Sequence, residues 1–360
     1  QVAVGVDHWR ARLPRNLGLT VTGNHGLAVG DANGDGLDDL YLCSEGGLPN
    51  RLLLRQADGT LLDASATSGV DLLDSTSSAL FVDLDNDGDQ ALVVVLAWSV
   101  VLMRNDGKGA YTLARRIASD GQLFSAAAAD FDNDADLDLY VCAYQLSRDA
   151  NSASAMPTPV PFHDANNGAT NLMLRNEGGW QFKECAAELG LDANNTRFSY
   201  AASWADYDND GDVDLYVAND FGRNNLYRNE QGKFTDVAPQ AGVEDMSAGM
   251  SVCWGDYNRD GRLDLYVANM FSSAGNRISY QRQFQAGASD AVRQGLQRHA
   301  RGNSLFQNVD GQKFTDVSLE QGVTHGRWAW SSKFVDINND GWEDLLSANG
   351  FITTPDTGDL

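Results

Sequence analysis

The sequence has little that marks membrane, nucleic-acid-binding or disulfide-rich proteins. It lacks any apolar run of about 18 residues, the length of a membrane-spanning helix. The longest candidate, residues 91–103, is too short and lies inside a repeat. Lysine and arginine number only 26 against 50 acidic residues, and the net charge of −24 disfavours nucleic acid and anionic membranes as partners.

The four cysteines bear on disulfides and zinc sites, and the start of the chain bears on processing. Cys43, Cys142, Cys185 and Cys253 have no close spacing, so we expect free, mostly buried thiols and no disulfide scaffold or zinc site. The chain opens on Gln1 with no signal peptide, and we expect a mature or excised portion of a protein. Its 360 residues, 42% of them hydrophobic, are sufficient for a large folded core.

What the sequence does contain is an acidic motif that recurs six times. In "DYDNDGDVDLYVAN", residues 206–219, aspartates occupy alternate positions before an apolar strand. The same pattern begins at residues 31, 83, 130, 256 and 336, which gives spacings of 52, 47, 76, 50 and 80. The two long spacings predict a unit of about 50 residues that carries an insertion, a typical length for a propeller blade. The nine-residue loops are 31–39, 83–91, 130–138, 206–214, 256–264 and 336–344.

Each unit predicts four short antiparallel strands. A first strand such as "SYAASWA" leads into the loop, "DLYVAN" follows it, and "NNLYRN" and "KFTDVA" form a hairpin. Strands of this kind repeated around a circle make an all-β propeller. We expect six blades in a single domain, with residues 1–19 supplying the third and fourth strands of the last blade. The alternative is seven blades, one of them outside this sequence.

The alternating carboxylates predict calcium sites. With the first aspartate as position 1, hard oxygens stand at positions 1, 3, 5 and 9, and the position-7 backbone carbonyl completes a calcium cage around a glycine turn. An EF-hand is excluded because position 12 lacks glutamate and the flanks are strands. The other alternative for one loop is a solvated acidic turn, which six loops in register make improbable. The predicted ligands are Asp31, Asn33, Asp35, Leu37 and Asp39; Asp83, Asp85, Asp87 and Asp89; Asp130, Asp132, Asp134, Asp136 and Asp138; Asp206, Asp208, Asp210, Asp212 and Asp214; Asp256, Asn258, Asp260, Arg262 and Asp264; and Asp336, Asn338, Asp340, Trp342 and Asp344.

The six loops are not equal. The second has Ala91 at position 9, so we expect it to hold calcium most weakly. The third has Ala135 where glycine is expected, which costs backbone strain. Half of the 50 acidic residues belong to these loops, and six Ca²⁺ ions would change the charge from −24 to −12.

At these loops the chain resembles the FG-GAP, or VCBS-type, repeat propellers, among them integrin α-subunit heads. The longer run "DYDNDGDVDLYVANDFGRNNLYRNEQGKFTDVAPQAGV" is most similar to bacterial and cartilage acidic protein-like members. The resemblance covers about residues 25–350 and implies the fold and calcium. It also implies an extracytoplasmic setting, where calcium is millimolar. It does not fix activity, because the family serves adhesion, assembly, carbohydrate binding and occasionally catalysis.

Aromatic and histidine residues favour structural roles. Phe81, Trp204, Trp254 and Phe334 each stand two residues before a loop, which predicts packing between blades, with sugar stacking as the alternative. The five histidines show no metal-binding spacing.

Two insertions break the repeat, at residues 145–168 and 275–301. The second predicts a helix rich in arginine, a candidate docking site for an acidic partner; the alternative is a helix packed over the blades. Both should project from the same face, since each follows a second strand. The candidate partner-binding residues are Arg277, Arg282, Arg293, Arg298 and Arg301.

These observations favour a non-catalytic, calcium-binding propeller that presents loops to a protein or glycan. One alternative is a polysaccharide lyase or hydrolase on the same scaffold, for which Tyr280, Arg282, Arg298 and His299 are the only local gathering. The other is a lectin with a sugar site between blades.

Overall fold

Alternating apolar residues and polar turns form antiparallel sheets throughout the part of the chain that the computed structural model describes, residues 26–146 and 159–350. The chain folds into two compact units. The first comprises residues 1–128, 135–141 and 174–184, and the second comprises residues 129–134, 142–173 and 185–360. The expected pairing of the chain ends involves residues 1–19 and 351–360, which lie outside the described residues.

Blades one and two have the predicted four strands each, in sequential order. Blade one contains β1 Leu27–Gly30, β2 Asp39–Leu42, β3 Arg51–Arg55 and β4 Leu61–Asp63. Blade two contains β5 Thr76–Val82, β6 Ala91–Leu96, β7 Ser99–Asn105 and β8 Tyr111–Ala118. Their shared core includes Tyr41, whose ring meets Phe81 edge-on at 6.5 Å.

Blades three, four and five repeat this order. Blade three contains β9 Gly121–Ala129, β10 Asp138–Leu146, β11 Leu172–Asn176 and β12 Phe182–Glu184. Blade four contains β13 Ser199–Ala205, β14 Asp214–Asn219, β15 Asn225–Asn229 and β16 Phe234–Asp236. Blade five contains β17 Gly249–Gly255, β18 Asp264–Asn269, β19 Ser304–Asn308 and β20 Phe314–Asp316.

The sixth sheet has two strands among the described residues, β21 Ala329–Val335 and β22 Asp344–Asn349. Every residue of β14 and of β18 is buried, whereas β22 is half-buried to exposed along its length. In blades four and five a third strand covers the second one, and in blade six the described residues supply none.

Packing between blades follows the predicted aromatic positions. Trp254 of blade five stacks on Tyr207 of blade four, with ring centroids 6.1 Å apart, and Tyr266 of blade five meets Phe334 of blade six at 6.2 Å. With the Tyr41–Phe81 contact, these pairs confirm the packing role for three of the four aromatics. Trp204 packs on Phe234 within its own blade, at 6.0 Å.

Three one-turn helices, which the repeat pattern did not predict, follow fourth strands. They are α1 Ser65–Ser68, α2 Ala186–Leu189 and α3 Ala238–Ala241. Each ends at a glycine in the left-handed conformation, which a residue without Cβ adopts at little cost. The acidic loops set a strand-to-strand spacing, but nothing in them indicates a turn of helix after the fourth strand.

The second insertion is helical, as predicted, with α4 Ser273–Ser279 and α5 Asp290–Ala300. Ser289 caps α5 by accepting the Val292 N–H, and Arg298 lies in its last turn, where a cation offsets the helix dipole. No helix among the described residues is long and apolar enough to cross a membrane. All four cysteines are free thiols, three buried and Cys253 half-buried, as expected.

Candidate metal centres

In loops one, four, five and six, the first aspartate closes the turn by accepting backbone hydrogen bonds. In the fourth loop, Asp206 Oδ1 accepts the Asp210 N–H and its Oδ2 accepts the Gly211 N–H, both at 3.0 Å. The same pair of bonds closes loops one, five and six. Asp210 in turn accepts the Asp212 N–H at 2.9 Å. The alternating aspartates are thereby held on the inner side of a single tight turn.

Backbone conformation explains the glycine at position 6. Gly211 has φ of +95°, and the equivalent residue has positive φ in every loop. Ala135 occupies this position in the third loop with φ of +73°, which confirms the strain expected there, about 1–2 kcal/mol for a residue with Cβ.

Carboxylate oxygens converge in three of the loops. Candidate ligand atoms within 4.8 Å of one another come from Asp83, Asp85 and Asp87, from Asp130, Asp132 and Asp138, and from Asp206, Asp208 and Asp210. Among the described residues, no histidine or cysteine joins such a group. Burial and the charges of Asp210 and Asp206 raise the pKa of Asp208, as expected where like charges crowd.

Orphaned oxygens test whether a cation fits these loops. Oδ1 of Asp208, Oδ1 of Asp83 and Oδ2 of Asp264 are buried and have no hydrogen-bond partner. A buried acceptor without a donor is costly unless a cation binds it. Hard carboxylate oxygens that alternate around one turn are the donor set that calcium prefers. The residues therefore fit calcium, which would offset the repulsion among the aspartates when bound.

The ninth aspartate has a second role that the motif did not reveal. Asp214 is fully buried, and its Oδ1 accepts the Asn229 N–H of the third strand at 2.8 Å while its Oδ2 accepts the Tyr207 N–H at 3.3 Å. Asp39 and Asp264 make the same bond to their own third strands, at 2.7 Å. Burial raises the pKa of Asp214 to about 8 and that of Asp264 to about 7. A nearby divalent cation opposes such a rise.

In blades two to five, an asparagine at the end of the third strand binds the loop of the preceding blade. Asn229 Nδ2 donates to the Phe131 carbonyl of loop three at 2.8 Å and to the Val213 carbonyl of its own loop at 3.1 Å. Its Oδ1 accepts the Gly232 N–H at 2.8 Å. Three further asparagines repeat the pattern, to Ala32, Leu84 and Tyr207: Asn105, Asn176 and Asn308.

Sequence reasoning missed these asparagines, although a signal exists. Each follows the third-strand core, in "LMRN", "MLRN", "LYRN" and "LFQN". Because the partner carbonyls lie 73 to 101 residues earlier, only the packed structure shows what the asparagine binds.

The arginines of the second insertion do not share one environment. Arg298 Nε lies 3.0 Å from the fully buried Asp245, and its Nη1 lies 3.2 Å from Asp316. Arg301 also binds Asp316, at 2.7 Å. Arg293 pairs with Asp290 on the same helix. Arg277 and Arg282 are exposed.

The two insertions meet in the second unit. Of the first insertion, residues 147–158 lie outside the described residues, and the described part packs against α5. Phe162 contacts the His299 ring at 5.2 Å, and Asp164 binds Arg197 at 2.9 Å and Arg223 at 3.1 Å. The described part of the first insertion therefore lies beside the last turn of α5, and projection of both insertions from one face stays a prediction.

Besides Asp245, a second buried carboxyl outside the loops is that of Asp220. Asp220 directly follows β14 and is 7% exposed, and the Tyr144 hydroxyl donates to its Oδ2. Burial raises the pKa of Asp220 to about 7, against the opposing effect of this hydrogen bond.

The loop motif and strand order together match a known repeat. The FG-GAP-like repeat family matches residues 31–94, 83–141 and 206–267. Cartilage acidic protein 1 of Xenopus tropicalis is 29% identical over 133 residues, which are 34% of this chain and 20% of that protein. Three stretches of the chain therefore match the FG-GAP-like repeat, and its antiparallel sheets have the strand order of β-propeller blades. The chain matches only a fifth of the length of that curated relative.

Solved structures with a similar arrangement include two further proteins. A lectin of Agrocybe aegerita that specifically recognises non-reducing terminal N-acetylglucosamine matches 90% of this chain and 74% of its own, with 16% identity and a TM-score of 0.48. The biofilm matrix protein Bap1 of V. cholerae matches 81% of this chain and 38% of its own, with 12% identity and a TM-score of 0.40.

Proposed function

We propose that this protein is a non-catalytic, calcium-stabilised propeller that binds a protein or glycan partner outside the cytoplasm. The buried Asp208 oxygen without a donor, among carboxylates that converge within 4.8 Å, is the observation that carries the calcium assignment. Up to six ions are proposed, with the loop at Asp83 the weakest. The calcium concentration outside the cytoplasm is high enough to fill exposed loops of this type.

The calcium ions would act on the fold and not on a substrate. The ninth aspartate ties its loop to the third strand, and the asparagine ladder ties it to the preceding loop. A cation bound to the same loop would therefore stabilise two blades at once.

Partner binding is proposed for the end of the second unit where the insertions meet. Repeated loops present similar surfaces, whereas long loops on a rigid scaffold commonly carry recognition. Because Arg298 and Arg301 are held by Asp245 and Asp316, the exposed cations there are Arg277 and Arg282. Adhesion, one of the roles that the family serves, would depend on this face.

Removal of calcium tests the proposal. Each site filled a hundredfold above its Kd adds about 2.7 kcal/mol, so loss of several ions should lower Tm by more than about 10 °C. Excess EDTA should produce this fall, calcium should reverse it, and magnesium should restore less. Asp208→Asn should bind one calcium ion fewer than wild type, whereas Asp120→Asn, at an exposed position outside the loops, should not.

A thermal transition that stays unchanged after elemental analysis has verified metal removal would contradict the proposal. The class of partner is tested separately, by a glycan array and a protein-binding screen, each run with and without EDTA.

A further inference from the structure

The second loop combines the features of a calcium site with one missing ligand. Asp83, Asp85 and Asp87 converge within 4.8 Å, and Oδ1 of Asp83 is buried without a hydrogen-bond partner. At position 9, however, Ala91 replaces the aspartate. The loop therefore keeps a place for a cation but offers it fewer oxygens than its neighbours.

A cationic side chain of the protein already lies at this loop. Arg104 Nε is 3.6 Å from Asp85 Oδ2, and its Nη2 is 3.9 Å from Asp87 Oδ2. The Trp180 indole N–H donates to the same Asp85 oxygen at 3.1 Å. Two of the three converging carboxylates thus face a positive charge that belongs to the chain.

The neighbouring blade shows why this arginine turns toward the loop. Arg175, at the equivalent position of blade three, lies 2.6 Å from Glu177, two residues further along. Blade two has the shorter Asp106 there, whose carboxylate instead accepts two backbone N–H groups of its own turn, at 2.9 and 3.0 Å. Arg104 therefore has no glutamate beside it and reaches Asp85 and Asp87.

We propose that Arg104 is an internal cation that competes with calcium for the second loop and sets its affinity below that of the other loops. This inference rests on the proposed calcium binding of those loops. A guanidinium this close repels an incoming divalent ion and partly neutralises the carboxylates that would attract it. The arginine side chain is 57% exposed and lines an open cavity of about 380 Å³, so it has room to leave when calcium binds.

A terbium titration isolates the second loop, because Tb³⁺ takes calcium sites and emits when a nearby tryptophan is excited. Trp180 binds a candidate ligand of this loop directly. Emission that is lost on Trp180→Phe substitution and that shifts with Arg104→Gln therefore reports the second loop. Calcium bound per chain is measured in parallel by equilibrium dialysis of the wild-type protein.

The test variant is Arg104→Gln, because glutamine occupies this position naturally in blade five as Gln307. Loss of one adjacent positive charge should lower the terbium concentration at half-saturation about tenfold. Ala91→Asp combined with Arg104→Gln should raise the number of tightly bound calcium ions by one. The control is Arg116→Gln, which removes an arginine of similar exposure, 54%, from an ion pair with Asp74.

A titration curve for Arg104→Gln that superimposes on those of wild type and Arg116→Gln would overturn the inference. Failure of the wild-type chain to bind calcium in any loop would overturn the proposed function itself, so dialysis distinguishes the two failures.

Discussion

Replacement of Asn229 by alanine should destabilise the protein strongly, although the residue lies in no predicted site. The side chain is fully buried and makes three hydrogen bonds to backbone groups. Two of its partners, the carbonyls of Phe131 and Val213, belong to two different acidic loops. The substitution therefore removes the connection between blades three and four without touching a candidate ligand.

The magnitude follows from what is left behind. Alanine leaves two buried carbonyls and the Gly232 N–H without their partners, and each unsatisfied group costs about 1–3 kcal/mol. Water that enters the space would recover part of this, so we expect a loss of about 3–5 kcal/mol in the free energy of unfolding. Asn229→Asp is the sharper variant, because it keeps the shape but points a carboxylate at both carbonyls, and it should cost at least as much.

Urea denaturation in saturating calcium, followed by fluorescence and circular dichroism, measures both losses. Asn349→Ala serves as the control, because this asparagine ends β22 in an exposed position. A loss below about 1 kcal/mol for Asn229→Ala would refute the hydrogen-bond argument. If Asn229→Asp proved neutral while Asn229→Ala did not, the side chain would be acting through its volume only.

Two further predictions concern charge. Asp220 has its pKa raised from 3.8 to about 7, so the folded state resists ionisation and wild type should lose stability as pH rises from about 4 to about 7. Asp220→Asn should reduce this slope and exceed wild type by about 2–4 kcal/mol at pH 8, and equal slopes in urea denaturation would contradict the assignment. Arg277→Ala/Arg282→Ala should elute from immobilised heparin at lower salt than wild type, because it removes two exposed cations. Elution equal to that of the exposed pair variant Arg115→Ala/Arg116→Ala would argue against an acidic partner at this face.

The repeat was predictable from sequence because its cause is local. Gly211 must take a left-handed conformation, Asp206 must accept the N–H groups four and five residues later, and β14 must begin directly after the loop. All of these requirements lie within fourteen residues of "DYDNDGDVDLYVAN". A motif that satisfies them six times leaves little freedom for another fold.

What the sequence did not show depends on distant partners. The Asn229 side chain looks like any polar residue in a hairpin until Phe131, 98 residues earlier, is placed beside it. In the same way, the position of Arg104 depends on the absence of a glutamate two residues later, together with the aspartates of a loop on another strand. Pattern analysis compares equivalent positions, and such contacts join positions that are not equivalent.

The arginines of the second insertion show the same limit for function. By composition, residues 275–301 are a uniformly basic segment, and charge alone favours docking for each arginine. The ion-pair partners of these arginines, however, show that they have different roles. Removing Arg298 would leave Asp245 buried without its guanidinium, so this arginine fixes α5 to blade five and has little freedom to bind another molecule. Arg301 shares Asp316 with it, and Arg293 is paired within its own helix. We therefore place the proposed recognition surface at the N-terminal part of the insertion, at the exposed Arg277 and Arg282.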